Sequence, residues 1–167
     1  MPYCERVEIA GSIRRGKPIV KDIEIVAMPK MVPQLNLFRE QSEPICPIKT
    51  ICVPELITNG AKKIKGDNRY FQLELPEGIN LDLFIVLPPA QWGVIFCIRT
   101  GPADFSHWLV TQKSKNGAMP PCFHVHDGGL YNRFTGELIP TPDETDFFEK
   151  IGLKYIEPGN RVSPWSK

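Results

Sequence analysis

The sequence has no long apolar run, few cysteines and almost no net charge. Its 167 residues include 20 Lys and Arg against 19 Asp and Glu, a formal charge of +1. No apolar stretch approaches the ~20 residues that cross a bilayer, and no leader pattern is visible, so we expect neither membrane insertion nor secretion. The five cysteines lack Cys-x-x-Cys spacing, which argues against a zinc ribbon or a disulfide framework and favours a reducing, cytoplasmic compartment.

The near-neutral charge gives little nonspecific affinity for nucleic acid, because that affinity comes mainly from neutralising phosphates. The basic residues are nevertheless clustered. Three runs stand out: Arg14, Arg15, Lys17 and Lys21; Lys62, Lys63, Lys65 and Arg69; Lys113 and Lys115. Each run is either a contact for phosphates or a solvated face. We expect any DNA binding to be weak and sensitive to salt.

Two acidic residues, Asp22 and Glu24, alternate with isoleucines in Asp-Ile-Glu-Ile-Val. Side chains on a strand alternate between faces, so the two carboxylates point the same way. A later apolar run carries one acid, Asp82. If the two strands are neighbours, three carboxylates share one face and need a cation, for which Mg²⁺ is the usual choice when phosphates share its coordination shell. The alternative is a solvated strand face with an ordinary edge-strand acid at Asp82.

The residues before the acidic pair favour the metal hypothesis. Gly11 lets the backbone approach a phosphate closely, and Ser12 offers a hydroxyl and an amide. Arg14, Arg15 and Lys17 place cations in the same turn, and arginine suits bidentate phosphate contact. The pattern predicts a two-metal site for nucleotidyl transfer, in which metal ions clamp both oxygens of an in-line displacement.

At this point the sequence resembles the nucleotidyltransferase superfamily, and most closely the family X DNA polymerases related to DNA polymerase beta. The resemblance rests on four segments in the family's order, covering nearly the whole chain: Gly-Ser-Ile-Arg-Arg-Gly from Gly11, Leu-Asp-Leu around Asp82, Arg-Thr-Gly from Arg99, and Lys-Tyr-Ile-Glu-Pro from Lys154. It is similar to short phage or viral members, which would place it in a host cytoplasm.

The resemblance implies roles for individual residues. Asp22, Glu24 and Asp82 would be catalytic and hold two Mg²⁺ ions, with Mn²⁺ as a substitute. Nucleotide-binding residues would be Gly11, Ser12, Arg15, Arg99, Thr100 and Gly101. Candidate DNA contacts are Arg14, Lys17, Ser106, His107 and Lys113. The family often has a cis peptide after the glycine of Thr-Gly, which predicts a cis bond at Gly101-Pro102.

The sequence also departs from the family pattern. Glu24 stands in place of the second Asp, Asn80 in place of a basic residue, and Ile98-Arg99 in place of an aromatic pair. Primer activation and sugar choice are therefore open. Nothing before the first strand resembles the family's lyase-type domain, so we expect weak recognition of gaps.

The predicted fold class is α+β: a nucleotidyltransferase palm with a mixed sheet over residues 1–98 and a small nucleotide-binding subdomain over 99–167. Strands are predicted at 5–10 and 22–28, a hairpin at 68–75 and 80–87, and helices at 89–98, 102–112 and 142–151. A second hairpin turns at Asp127-Gly128-Gly129. Thr141 is the expected cap of the last helix, and Arg161 an expected surface group. The stretch 30–54 is predicted to be irregular, with a short helix near 34–41.

Three functions remain open. The first is a minimal DNA-directed DNA polymerase that adds dNMP from dNTP to a primer 3′-hydroxyl on primer-template or gapped DNA, with a role in DNA repair. The second is a template-independent transferase acting on a nucleic-acid end, a protein or a small acceptor. The third is a noncatalytic nucleotide- or DNA-binding subunit, which three retained and mutually repelling acids argue against.

Overall fold

The computed structural model describes residues 2–33 and 44–162 and confirms an α+β fold with two sheets. In the larger sheet the strands are β1 (Cys4–Ile9), β2 (Asp22–Pro29), β3 (Lys62–Gly66), β4 (Tyr70–Glu74) and β5 (Asn80–Ile85). The smaller sheet contains β6 (Phe123–His126), β7 (Gly129–Asn132) and β8 (Leu138–Ile139). The helices are α1 (Gly11–Arg14), α2 (Val53–Thr58), α3 (Trp92–Thr100), α4 (Ala103–Val110) and α5 (Glu144–Lys150).

The larger sheet runs in the order β1-β2-β5-β4-β3, and only β2 and β5 are parallel. Its apolar face carries Ile23 and Ile25 from β2 and Leu81 and Leu83 from β5, which pack into buried clusters. On the opposite face Val26 and other apolar residues near the ends of the strands pack under α3. The other end of that face carries Asp22, Glu24 and Asp82, because each strand alternates its side chains.

The central strands and the first hairpin confirm the sequence predictions. β4 and β5 pair antiparallel around the turn at 76–78, and β2 ends at Pro29. The basic run 62–65 was not predicted as a strand, yet it forms β3 at the edge of the sheet. An edge position tolerates such a row of lysines, because its outer side faces solvent.

The segment before β3 differs from the prediction. A π-helical turn at Ile48–Cys52 leads directly into α2, where an irregular chain was expected. Pro54 lies in the first turn of α2, a position in which its missing N–H costs no helical hydrogen bond. The predicted helix near 34–41 lies outside the described residues.

The C-terminal part has its own core, formed by α3, α4, α5 and the smaller sheet. Phe105, Leu109, Phe147 and Phe148 are buried in it, and Trp108 packs against it from the same face of α4 as Phe105 and Leu109, which is consistent with helical spacing. The hairpin of β6 and β7 turns at Asp127 and the two glycines that follow, as predicted. All five cysteines are free thiols.

The start of α5 corrects one prediction. Asp143, not Thr141, caps the helix, in a capping box in which the Asp146 carboxylate accepts a hydrogen bond from the Asp143 amide at 2.8 Å. Thr141 is buried and instead bonds through its amide and hydroxyl to Gln91, just before α3. Thr141 therefore links the segment before α5 to the start of α3 and does not cap α5.

A buried ion cluster connects α1 with the C-terminal core. Arg14 donates to Glu144 Oε2 at 2.6 Å, and Arg161 donates to Glu144 Oε1 at 2.7 Å. Arg161 is only 2% exposed, so the prediction of a surface group was wrong. Both partners of Glu144 come from distant parts of the chain, and sequence spacing does not reveal such a triad.

The cluster predicts how stability depends on residue 144. Burial raises the pKa of the Glu144 carboxyl, but the hydrogen bonds and charges of Arg14 and Arg161 outweigh it and hold the pKa below its usual range. Glu144→Gln leaves the buried guanidinium of Arg161 and the partly buried guanidinium of Arg14 without a counter-charge. We expect a loss of about 3 kcal/mol in the free energy of unfolding at pH 7, measured by denaturant titration.

Since the folded-state pKa is depressed, this stabilisation is complete above the unfolded pKa of about 4.3 and disappears as pH falls through the folded value. The difference between wild type and Glu144→Gln should therefore shrink in acid. Glu149→Gln, on an exposed position of the same helix, is the control and should change stability by less than about 0.5 kcal/mol. Equal stability of Glu144→Gln and wild type at pH 7 would refute this account.

Candidate active site

Parallel pairing of β2 with β5 brings the predicted acids to one place. Glu24 lies directly opposite Asp82, and Asp22 lies opposite Asn80. All of these positions share one face of the sheet. Asp22, Glu24 and Asp82 are each partly exposed, so the face is open to solvent at this point. The hypothesis of a shared acidic face required β2 and β5 to be neighbouring strands, and they are.

The Glu24 carboxylate lies over the start of α1. Gly11 has a φ of +59°, and a Cβ at this glycine would fall 1.6 Å from Glu24 Oε2, so another residue would be strained here and would displace the carboxylate from this position. Burial raises the pKa of Glu24, and the charge of Asp22 adds to this effect. Arg15 and a hydrogen bond from the Ser12 amide oppose it. Gly11 and Ser12 thus contact an acid in this conformation, at the position where the resemblance implies a phosphate.

The Asp82 carboxylate faces the neighbouring strand β4. Tyr70 donates its hydroxyl to Asp82 Oδ1 at 2.6 Å, and Gln72 donates its amide to the same oxygen at 3.0 Å. Sequence reasoning did not identify either residue. The hairpin register would have found Gln72, because a strand partner of Asp82 must lie on the same face.

The two arginines of α1 have separate contacts. Arg14 donates to Thr100 Oγ1 at 2.6 Å as well as to Glu144, and its guanidinium lies 3.8 Å from the centre of the Phe96 ring. Arg15 donates to the Thr100 carbonyl at 2.6 Å. Its Nε is buried and has no hydrogen-bond partner among the described residues. Arg15 is near enough to Glu24 for its charge to lower the pKa of that acid, whereas Arg14 is bound in the ion cluster.

Arg99 lies between the acids and the C-terminal part. Its guanidinium is 4.1 Å from the centre of the Phe84 ring. Partial desolvation lowers the pKa of Arg99, and the nearby charges of Glu24 and Asp82 act in the opposite direction. Arg99 thus brings a positive charge towards the acidic face, at a position where the resemblance implies an aromatic residue.

The turn after α3 differs in two ways from expectation. Thr100 is the last residue of α3 and is fully buried, so its hydroxyl faces Arg14 rather than solvent. The Gly101–Pro102 peptide bond is trans, and that prediction was wrong; the cis bond in the described part of the chain lies at Pro88–Pro89. Gly101 is extended, with φ −68° and ψ 154°, and this lets α4 begin without a cis bond.

The candidate DNA contacts lie on several different elements. The Ser106 hydroxyl donates to the Ile98 carbonyl at 2.6 Å and ties α4 to α3. His107 is exposed on α4, Lys17 lies between α1 and β2, and Lys113 lies on a 3₁₀ turn after α4. Their proposed roles remain predictions.

The acids fit a divalent cation by type and by strand register. Three carboxylates supply the hard oxygen ligands that Mg²⁺ prefers. Within residues 2–33 and 44–162, however, no three His, Cys, Asp or Glu side chains are close enough to hold a metal in this conformation. Glu24 accepts a hydrogen bond from the Ser12 amide instead of facing the other two acids alone. Ion binding by all three acids therefore requires at least the Glu24 side chain to move.

The comparison with protein families concerns the C-terminal part. Residues 97–162 match the family described as DNA polymerase beta thumb. This match supports a relationship to family X polymerases and with it a polymerase or a related DNA-binding function. No curated protein matches the chain significantly. In the part of the chain that is described, no helix is both long and apolar enough to cross a membrane.

The environment of Glu24 predicts that this residue reduces stability. Because its pKa is raised, folding becomes less favourable as pH rises from the unfolded value of about 4.3 through the folded one. Glu24→Gln removes the charge and keeps an oxygen for the Ser12 amide. We expect it to raise the free energy of unfolding at pH 7 by about 1 kcal/mol, because residues kept for function often lower stability and their replacement often raises it.

Chemical denaturation at pH 7 and pH 4 checks this expectation, and the difference should diminish at the lower pH. Glu5→Gln on an exposed position of β1 provides the matched control and should be neutral. A Glu24→Gln protein that is less stable than wild type at pH 7 contradicts the account.

Proposed function

We propose that this protein is a metal-dependent nucleotidyltransferase of the family X polymerase type, which adds dNMP from dNTP to a primer 3′-hydroxyl and releases pyrophosphate. One observation carries the proposal. Glu24 and Asp82 are register partners on an open sheet face, in a chain whose residues 97–162 match the polymerase beta thumb. Residues 1–98 would then be the catalytic palm and 99–167 the subdomain that binds nucleotide and DNA.

Asp22, Glu24 and Asp82 would hold two Mg²⁺ ions. Bound there, the ions would neutralise the phosphates and lower the cost of deprotonating the attacking hydroxyl. The acids themselves concentrate negative charge on this face: burial raises the pKa of Glu24, and the charges of Asp22 and Asp82 raise it further. Cation binding would relieve the repulsion among these charges.

Arg15 and Ser12 would bind the β- and γ-phosphates of the nucleotide. Arg15 is already anchored at one end by the Thr100 carbonyl, and its charge is felt at Glu24, so its guanidinium would lie within reach of a phosphate bound near the acids. Gly101 would form the wall against the sugar, since a side chain here would collide with Phe105 and Ser106. Most of the rate enhancement would come from positioning and electrostatic stabilisation.

Removing the charge of Asp82 tests the catalytic assignment. Asp82→Asn preserves size and should lower the rate of nucleotide incorporation by at least about 10³-fold, because one ligand and its charge are lost. Single-turnover primer extension with Mg²⁺ gives the rate, and circular dichroism verifies the fold. Asp67→Asn in an exposed turn is the control and should extend primers at the wild-type rate. Undiminished incorporation by Asp82→Asn would rule out the assignment.

The same assay separates templated from untemplated transfer. Arg14, one of the basic residues near the site, is bound to Glu144, and this reduces the charge available for gripping DNA and favours the untemplated alternative. Gapped, recessed and single-stranded primers with each dNTP and rNTP distinguish the two. Incorporation that follows the template base supports a polymerase, and incorporation that ignores it supports a terminal transferase.

A further inference from the structure

Asp82 is the only one of the three acids, within the described residues, to which two side chains of the neighbouring strand donate hydrogen bonds. Tyr70 and Gln72 both come from β4, which pairs antiparallel with β5 and places Gln72 directly opposite Asp82. Their bonds, of 2.6 Å and 3.0 Å, both end on Oδ1. Neither bond uses Oδ2.

Tyr70 is itself held in place. Its ring stacks on Phe84, with 5.0 Å between ring centres and an interplanar angle of 23°. Phe84 is buried and is contacted in turn by the Arg99 guanidinium at 4.1 Å. The Tyr70 hydroxyl is the donor in the bond to Asp82, since a carboxylate oxygen can only accept.

We propose that Tyr70, assisted by Gln72, is a positioning residue that fixes the Asp82 carboxylate so that Oδ2 is presented to a divalent cation. Two donors on one oxygen restrict rotation of the carboxylate and leave the second oxygen as the ligand. Hydrogen bonds of this kind orient metal ligands in proteins, and their removal typically weakens metal binding about 10- to 100-fold. The inference rests on the proposed function, because it assumes that Asp82 binds metal.

A purely structural role for Tyr70 makes a different prediction. The stacking on Phe84 involves the ring alone, whereas the bond to Asp82 involves the hydroxyl alone. Tyr70→Phe preserves the first contact and removes the second. If the hydroxyl served only stability, the variant would unfold more easily and bind metal as before.

The test is the binding of Mn²⁺ alone to the full chain, measured by the electron paramagnetic resonance signal of the free ion. We expect Tyr70→Phe to raise the dissociation constant about 10-fold, with a melting temperature close to that of wild type. Gln72→Leu should show a smaller increase and provides a second variant should Tyr70→Phe not fold. Tyr131→Phe is the control, because Tyr131 stacks on His124 in the smaller sheet, away from the acids.

Primer extension provides an independent readout. If the hydroxyl positions a metal ligand, excess Mn²⁺ should restore kcat of Tyr70→Phe, whereas the KM for dNTP should change little. Wild-type Mn²⁺ affinity in both Tyr70→Phe and Gln72→Leu overturns the inference, and the proposed function stands if Asp82→Asn still weakens binding. If Asp82→Asn also binds Mn²⁺ like wild type, Asp82 is not a ligand and both proposals fail.

Discussion

The candidate site depends on one structural constraint, the parallel pairing of β2 with β5 in a single register. This register sets Glu24 opposite Asp82 and puts Ile25 and Leu83 on the buried face. A shift of one residue would bury the acid and expose the apolar side chains, so packing of the core also fixes the position of the acids. Stability and site geometry are therefore determined by the same strand alternation.

The acids are held apart by neighbouring polar groups. Glu24 lies against the Ser12 amide with Arg15 nearby, and Asp82 is bound by Tyr70 and Gln72. These contacts supply hydrogen bonds to carboxylates on a partly covered face, where an unpartnered charge would be costly. A cation bound at Glu24 would have to replace the hydrogen bond from the Ser12 amide. A cation bound to Oδ2 of Asp82 could leave the bonds from Tyr70 and Gln72 in place, because both end on Oδ1.

Local patterns predicted the central strands, the hairpins and the acidic face, because alternation and turn residues act over a few positions. Contacts across the fold were not predictable in this way. Arg161 was expected at the surface, yet it is buried beside Glu144. Tyr70 was overlooked because its link to Asp82 depends on strand register and rotamer. The basic strand β3 was missed since lysine favours strands only weakly and its edge position is a property of the sheet.

The central claim is that three carboxylates on this sheet face bind the metal ions of nucleotidyl transfer. A crystal structure of the protein with dNTP and Mn²⁺, analysed by anomalous scattering from manganese, tests it most directly. The account predicts anomalous peaks bound by Asp22, Glu24 and Asp82, with the triphosphate beside Ser12 and Arg15. Manganese bound elsewhere, or nucleotide bound without metal on this face, would contradict it.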